Sequence, residues 1–273
     1  MNSSFLQFDP RRVRSYLFRL PLCTRLLVVA IVAFYIASLT LPWFTAWASL
    51  IPNEIGIATL YRLNTFPLIH LGFFHMIINV LALTPLLERF EAENGSLVTL
   101  LLYTGPFGLI PGLIYTVIER FIFRGNTSIA GASIWVFLLL SVEAVKTYKT
   151  NPFFALGPYN IPTWTTPLIA NVVVAVLVPN TSFIGHLCGC VVGYLWGFGY
   201  IRFLAPPEKI LRFIEGKLNL LGRIPHYVSV DQKTFGRYGV LPSTSTSPRT
   251  APILANPVGP TPTYVATSQR LGP

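Results

Sequence analysis

The stretch FIGHLCGCVVGYLWGFG, Phe183–Gly199, decides how this chain folds. It contains no Asp, Glu, Lys or Arg, and a run this apolar reads as a helix within a membrane. Gly185, Gly189, Gly193 and Gly197 recur at every fourth position. That spacing aligns them on one helical face, and a face without Cβ atoms lets a second helix approach closely. His186 flanks the start of this bare stripe.

The remainder of the 273 residues agrees. Hydrophobic residues make up 52% and charged residues 11%, whereas a soluble domain carries about 25% charged residues. So few charges cannot cover a globular surface, which excludes a soluble fold. Apolar runs near residues 25–44, 66–87, 97–118, 129–144, 166–178 and 182–204 give six candidate helices, so the fold class expected is an all-α, six-span polytopic membrane bundle. The third run is interrupted by Gly105, Pro106, Gly108, Pro111 and Gly112. It is kept as one span because neighbouring helices can satisfy the backbone groups that proline frees. The first run is longer than a signal-peptide core and is read as a retained anchor. Cys23, Cys188 and Cys190 show neither disulfide nor metal-ligand spacing and are read as packing residues, and no cofactor is expected.

The net charge of +10 is explained by membrane topology rather than by nucleic acid. Arg11, Arg12, Arg14, Arg19 and Arg25 precede the first run, Arg89 follows the second, Lys146 and Lys149 follow the fourth, and Arg202, Lys209, Arg212, Lys217 and Arg223 follow the sixth. The opposite side holds Arg62, Arg120 and Arg124. An excess of Lys and Arg marks the cytosolic side, so both termini are expected there. The expected organisation is a basic cytosolic segment (1–24), the six-span domain (25–204), a juxtamembrane helix (205–224) and a disordered cytosolic tail (225–273). In the juxtamembrane segment Ile210, Ile214, Leu218 and Leu221 share helical spacing, read as a helix lying on the membrane surface or as a short solvated one. The tail is rich in Pro, Ser, Thr and Gly, a composition that does not build a core.

Polar side chains within apolar runs are costly to bury and therefore informative. The second run, PLIHLGFFHMIINVLAL, carries His70, His75 and Asn79. Read as one helix, it places His75 and Asn79 on a common face and His70 about 140° away from His75. The fourth, within TSIAGASIWVF (residues 127–137), carries Ser133. Even-numbered spans share a direction, so His75, Ser133 and His186, all early in their spans, lie about 8 to 14 Å below the outer boundary. One water-filled cavity could hold them all. A serine hydroxyl needs a base within hydrogen-bond reach, and imidazole suits that role. Ser133 would attack and His186 would accept its proton, with His75, the Asn79 amide and the Ser133 backbone N–H available to a developing oxyanion. Each feature also has a plainer reading. A lone Ser or Asn can join helices by hydrogen bonding, and two histidines beside a glycine stripe can form a transporter's proton relay. A transporter would usually show an internal repeat, and none is seen.

Taken in order, these residues resemble the rhomboid family of intramembrane serine proteases. The match comprises His70, His75 and Asn79 in the second span, Gly131 and Ser133 in the fourth, and His186, Gly189 and Gly193 in the sixth, over residues 20 to 205. The resemblance implies a Ser133/His186 dyad, an oxyanion site at His75 and Asn79, and structural roles for His70, Gly131, Gly189 and Gly193. It also implies transmembrane protein substrates within the lipid bilayer and no metal. Two positions depart from the pattern. Ile134 stands where the usual motif has glycine, and Tyr61-Arg62 stands for the first-loop Trp-Arg pair. Both departures are similar to the fungal Golgi branch, whose members are associated with cleaving a membrane-bound sterol-responsive transcription factor. The tail segment YVATSQRLG is similar to the motif by which adaptors bind an AAA segregase, with Tyr264, Leu271 and Gly272 matching. The alternative implied by Ile134 and this tail is a rhomboid-like pseudoprotease that delivers membrane clients to the segregase.

Overall fold

All six apolar runs are helical in the computed structural model, which describes residues 10–179, 181–218 and 224–233. α1 (Pro10–Arg19) leads into α2 (Leu22–Thr40), and α3 (Pro42–Ala48) with the single turn α4 (Arg62–Thr65) shapes the first long loop. α5 (Phe73–Asn94), α6 (Ser96–Tyr103), α7 (Pro106–Val117) and α8 (Ser133–Thr150) follow. A small antiparallel hairpin, β1 (Phe153–Leu156) paired with β2 (Tyr159–Pro162), turns the chain into α9 (Thr166–Leu177). α10 (Phe183–Phe198) and α11 (Glu208–Lys217) complete the described elements.

Among the described residues, three segments are long and apolar enough to cross a membrane by themselves: Leu22–Thr40, Phe73–Asn94 and Ser96–Ile122. α8, α9 and α10, at 18, 12 and 16 residues, are shorter than the roughly 20 residues of a full span. α8 also ends in Glu143, Lys146 and Lys149. Apolar side chains cover the outside: Leu39, Leu81 and Val176 are 68%, 69% and 78% exposed, as a lipid-facing surface requires and a soluble surface rarely allows. The chain is therefore a multi-pass membrane protein.

Inside, α10 lies directly on α8. A Cβ at Gly189 would overlap the Ile134 carbonyl oxygen, one at Gly193 the Leu138 carbonyl oxygen, and one at Gly197 would come within 2.9 Å of Val145 Cβ. The positions advance together, so α8 and α10 run parallel. The third run is one segment of 27 residues, Ser96–Ile122, broken at Gly105 where Pro106 opens α7. Within α7, Pro111 has no N–H for the Phe107 carbonyl one turn earlier. The Trp135 indole of α8 donates to that oxygen at 3.1 Å, so a neighbouring helix fills the vacancy proline creates.

At the bundle end remote from Ser133, the Glu91 carboxylate is fully buried and accepts from Cys23 N at 2.8 Å, Thr24 N and Oγ1 at 2.7 Å, and Ser96 Oγ at 2.5 Å. An acidic group at the first turn of α2 satisfies its orphan N–H groups and opposes the helix dipole. Two boundaries differ from expectation. α11 stops at Lys217 and directs Leu211 into the core, leaving Ile210 and Leu218 half exposed; Leu221 lies outside the described residues. The segment 225–233, expected within a disordered tail, is instead packed. Leu22 N donates to His226 O and Ser96 N to Val228 O, both at 2.9 Å, while Tyr227 and Val230 are buried. Tyr264, Leu271 and Gly272 lie outside the described residues.

Candidate active site

Three helices start at one level. α5 runs parallel to α8, since Gly131 meets His75 near their starts while Lys146 pairs with Glu93, and Arg89 with Glu143 at 3.0 Å, near their ends. α10 is in step with both. His75 is the third residue of α5, Ser133 the first of α8 and His186 the fourth of α10.

The segment before Ser133 is fixed bond by bond. Glu119 accepts from Thr127 N at 3.0 Å, and Tyr115 Oη donates to Thr127 O at 2.9 Å. Leu50 and Ile129 exchange two backbone bonds of 3.0 Å, and Gly131 N donates to Phe66 O at 2.9 Å. Gly131 has φ +126°, and a Cβ there would lie 2.7 Å from His75 Cε1. Glycine is thus required twice, by backbone and by space.

α8 begins at Ser133 rather than at residue 129 as expected, because the bridge to Leu50 and the Gly131 conformation hold 129–132 out of the helix. Ser133 consequently occupies a helix N-terminus. Its N–H and that of Ile134 precede the first helical bond, Trp135 N to Ala132 O at 2.9 Å, and are available to an acceptor.

His70 also departs from expectation. It precedes α5 instead of sharing that helix with His75, since Pro67 and the extended Gly72 delay the helix to Phe73. Its Nε2 accepts from Ala132 N at 3.2 Å and its Nδ1–H points at Leu68 O, also 3.2 Å away. The two partners together define its tautomer. The His70 and His75 rings are 5.0 Å apart. The His186 ring stacks on Phe137 at 4.3 Å and 20°. Phe137 is one turn beyond Ser133 on the same face of α8, so hydroxyl and imidazole share that face. Asn79 is buried and donates from Nδ2 to His75 O at 2.8 Å, which leaves its second amide N–H for another acceptor.

A family model described as the Rhomboid domain matches residues 57–203. The chain belongs to the rhomboid family. Similar proteins include rhomboid-type serine protease B of Aspergillus fumigatus, 58% identical over 98% of this chain and 97% of that protein. Rhomboid-type serine protease 2 of Neurospora crassa is 61% identical over 88% of each chain, and that of Podospora anserina 54% over the whole of both. This rhomboid is a serine endopeptidase of the membrane.

Ile134 disturbs little in this rhomboid. It is 2% exposed and its Cγ1 lies against the bare Gly189 face, so its bulk is taken up between α8 and α10. Tyr61 stacks on Trp47 at 4.8 Å, while buried Arg62 donates to Ala46 O at 2.6 Å and Ser49 O at 2.8 Å and pairs with Glu54 at 2.9 Å. This pair binds the first loop to itself. Beside it, a cavity of about 330 Å³ is lined by Thr45, Ser49, Leu71, Ser128, Ile129 and Ala130. Sequence reasoning missed Phe137 and Asn171. Asn171 Oδ1 lies 3.0 Å from His186 Nδ1; a polar residue within an apolar run, it meets the criterion that singles out Asn79.

Proposed function

We propose that this rhomboid hydrolyses a peptide bond of a transmembrane protein with Ser133 as nucleophile and His186 as general base. The observation that carries this reading is the His186 ring stacked on Phe137, one turn from Ser133 at the head of α8. Ser133 Oγ attacks the scissile carbonyl and passes its proton to His186. The tetrahedral oxyanion accepts bonds from the Ser133 N–H, His75 and the free N–H of Asn79. His186 then protonates the leaving amine, and a water activated by the same imidazole releases the acyl group from Ser133.

A substrate helix reaching the site laterally must unwind before its carbonyl meets Ser133, which favours small residues near its outer end. Ser133→Ala abolishes cleavage of a co-expressed reporter and labelling by a fluorophosphonate while expression persists; continued cleavage would reject the dyad. The reading extends to a Golgi membrane location, carried over from the fungal branch whose motifs the chain resembles, with cytosolic termini supported by the Lys and Arg distribution. A membrane-bound transcription factor as substrate and an AAA segregase as tail partner rest on the same resemblance. Identifying the protein that accumulates uncut with Ser133→Ala tests the first, and co-purification that depends on Leu271 tests the second.

A further inference from the structure

We propose that Asn171 of α9 is a positioning residue for His186, holding its imidazole in the tautomer that leaves Nε2 free to receive the Ser133 proton. The inference rests on the reading of Ser133 and His186 as nucleophile and base. Both partners are buried, Asn171 at 1% exposure and His186 at 4%. The amide is oriented by its other end, since Nδ2 donates to Phe183 O at 3.0 Å. A carbonyl can only accept, so the nitrogen faces Phe183 and Oδ1 faces the ring. Oδ1 lies 3.0 Å from His186 Nδ1 and can only accept in turn. The Nδ1 atom therefore carries the proton of the neutral imidazole, and Nε2 keeps its lone pair. The opposite tautomer would set two lone pairs against each other in a buried contact, disfavouring it roughly tenfold to hundredfold.

Phe137 fixes the plane of the same ring by stacking, so Asn171 and Phe137 constrain different degrees of freedom. As His186 takes the proton, the bond to Oδ1 becomes charge-assisted and strengthens. An amide achieves this without placing an uncompensated negative charge among apolar side chains. The plainer role for Asn171 is to join α9 to α10. On α9 only Pro167 and Asn171 are buried, so both roles are open to one side chain and must be separated by measurement.

The test uses the purified full-length protein in liposomes with a fluorogenic transmembrane reporter. Asn171→Ala lowers kcat roughly 10- to 100-fold with KM changed by less than about twofold. The chain has 4 histidines, so 15N-histidine spectra resolve His186, assigned by its loss in His186→Ala. The wild type shows the Nδ1–H form, and Asn171→Ala shows a mixture. An unchanged kcat in folded Asn171→Ala, or a loss of kcat with the tautomer unaltered, would overturn the proposal. Should Asn171→Ala not fold, an Nε2–H form in the wild type overturns it alone. Cleavage surviving in Ser133→Ala would defeat the underlying dyad instead, whatever Asn171 does.

Discussion

Gly131 joins two constraints that a single added methyl separates from all others. Its φ of +126° is a region L side chains rarely adopt, and His75 Cε1 and Nε2 stand 2.7 and 2.9 Å from where a Cβ would be. Gly131→Ala must rotate the backbone just before Ser133 or displace His75. Either movement breaks the register of Ala132 N on His70 Nε2, and the backbone strain alone costs about 1–3 kcal/mol. The expected outcome is a lowered thermal midpoint in detergent with kcat/KM reduced at least about tenfold, read by differential scanning and reporter cleavage; wild-type values in both would show the loop to be more tolerant than its bonds imply. At this scale the sequence was legible where chemistry dictates residue type. His75, Ser133 and His186 stand out as costly polar groups in apolar runs, and each lies in the first turn of its helix. His70 falls outside the expected helix because PLIHLGFF offers an apolar pattern that, beside the histidine itself, only Pro67 and Gly72 interrupt. Pattern alone does not tell a kinked entrance from a first helical turn.

Between elements, the α8–α10 contact is set by what α10 lacks. The stripe read from Gly185 to Gly197 meets main-chain oxygens of Ile134 and Leu138, and carbonyls, unlike side chains, cannot turn aside. Gly193→Ala is expected to push the helices apart at the cost of about 1–3 kcal/mol and to reduce activity by moving His186 relative to Ser133. Gly216→Ala in α11, where no atom lies within 4 Å of the added Cβ, leaves activity unchanged and raises stability slightly through helix propensity. Thermal midpoints of the two variants measured side by side check the contrast; equal effects would mean that propensity rather than helix contact controls both. The stripe was readable because four glycines at constant spacing leave one interpretation. The hairpin from Phe153 to Pro162 was not, since its pairing is fixed by Gly157 at φ +60° and β1, Phe153–Leu156, is apolar throughout and carries no alternation of apolar and polar residues.

Across the whole molecule, the chain beyond α11 returns to the end of the bundle farthest from Ser133 and ties together elements distant in sequence. Val228 exchanges bonds with Ser96, whose hydroxyl also reaches Glu91, and Glu91 in turn caps α2 through Cys23 and Thr24. Composition could not foresee this, because few contacts, each between groups far apart in the chain, replace periodicity here. Tyr227 anchors the same segment by donating to Glu215 Oε1 at 2.7 Å. Burial, and then the Glu215 carboxylate, push the Tyr227 phenol above its ordinary value of 10.0. A proton held more tightly in the folded state means that the stabilising contribution is complete below pH 10.0 and is lost as the pH rises through the folded value. Tyr227→Phe removes the bond and is expected to lower stability at neutral pH by about 1 kcal/mol. The wild type should then lose stability above pH 10 more steeply than Tyr227→Phe, so that the two thermal midpoints converge. Parallel midpoints across that range would mean that the phenol ionises without loosening the segment, and that the backbone bonds at His226 and Val228 hold it unaided.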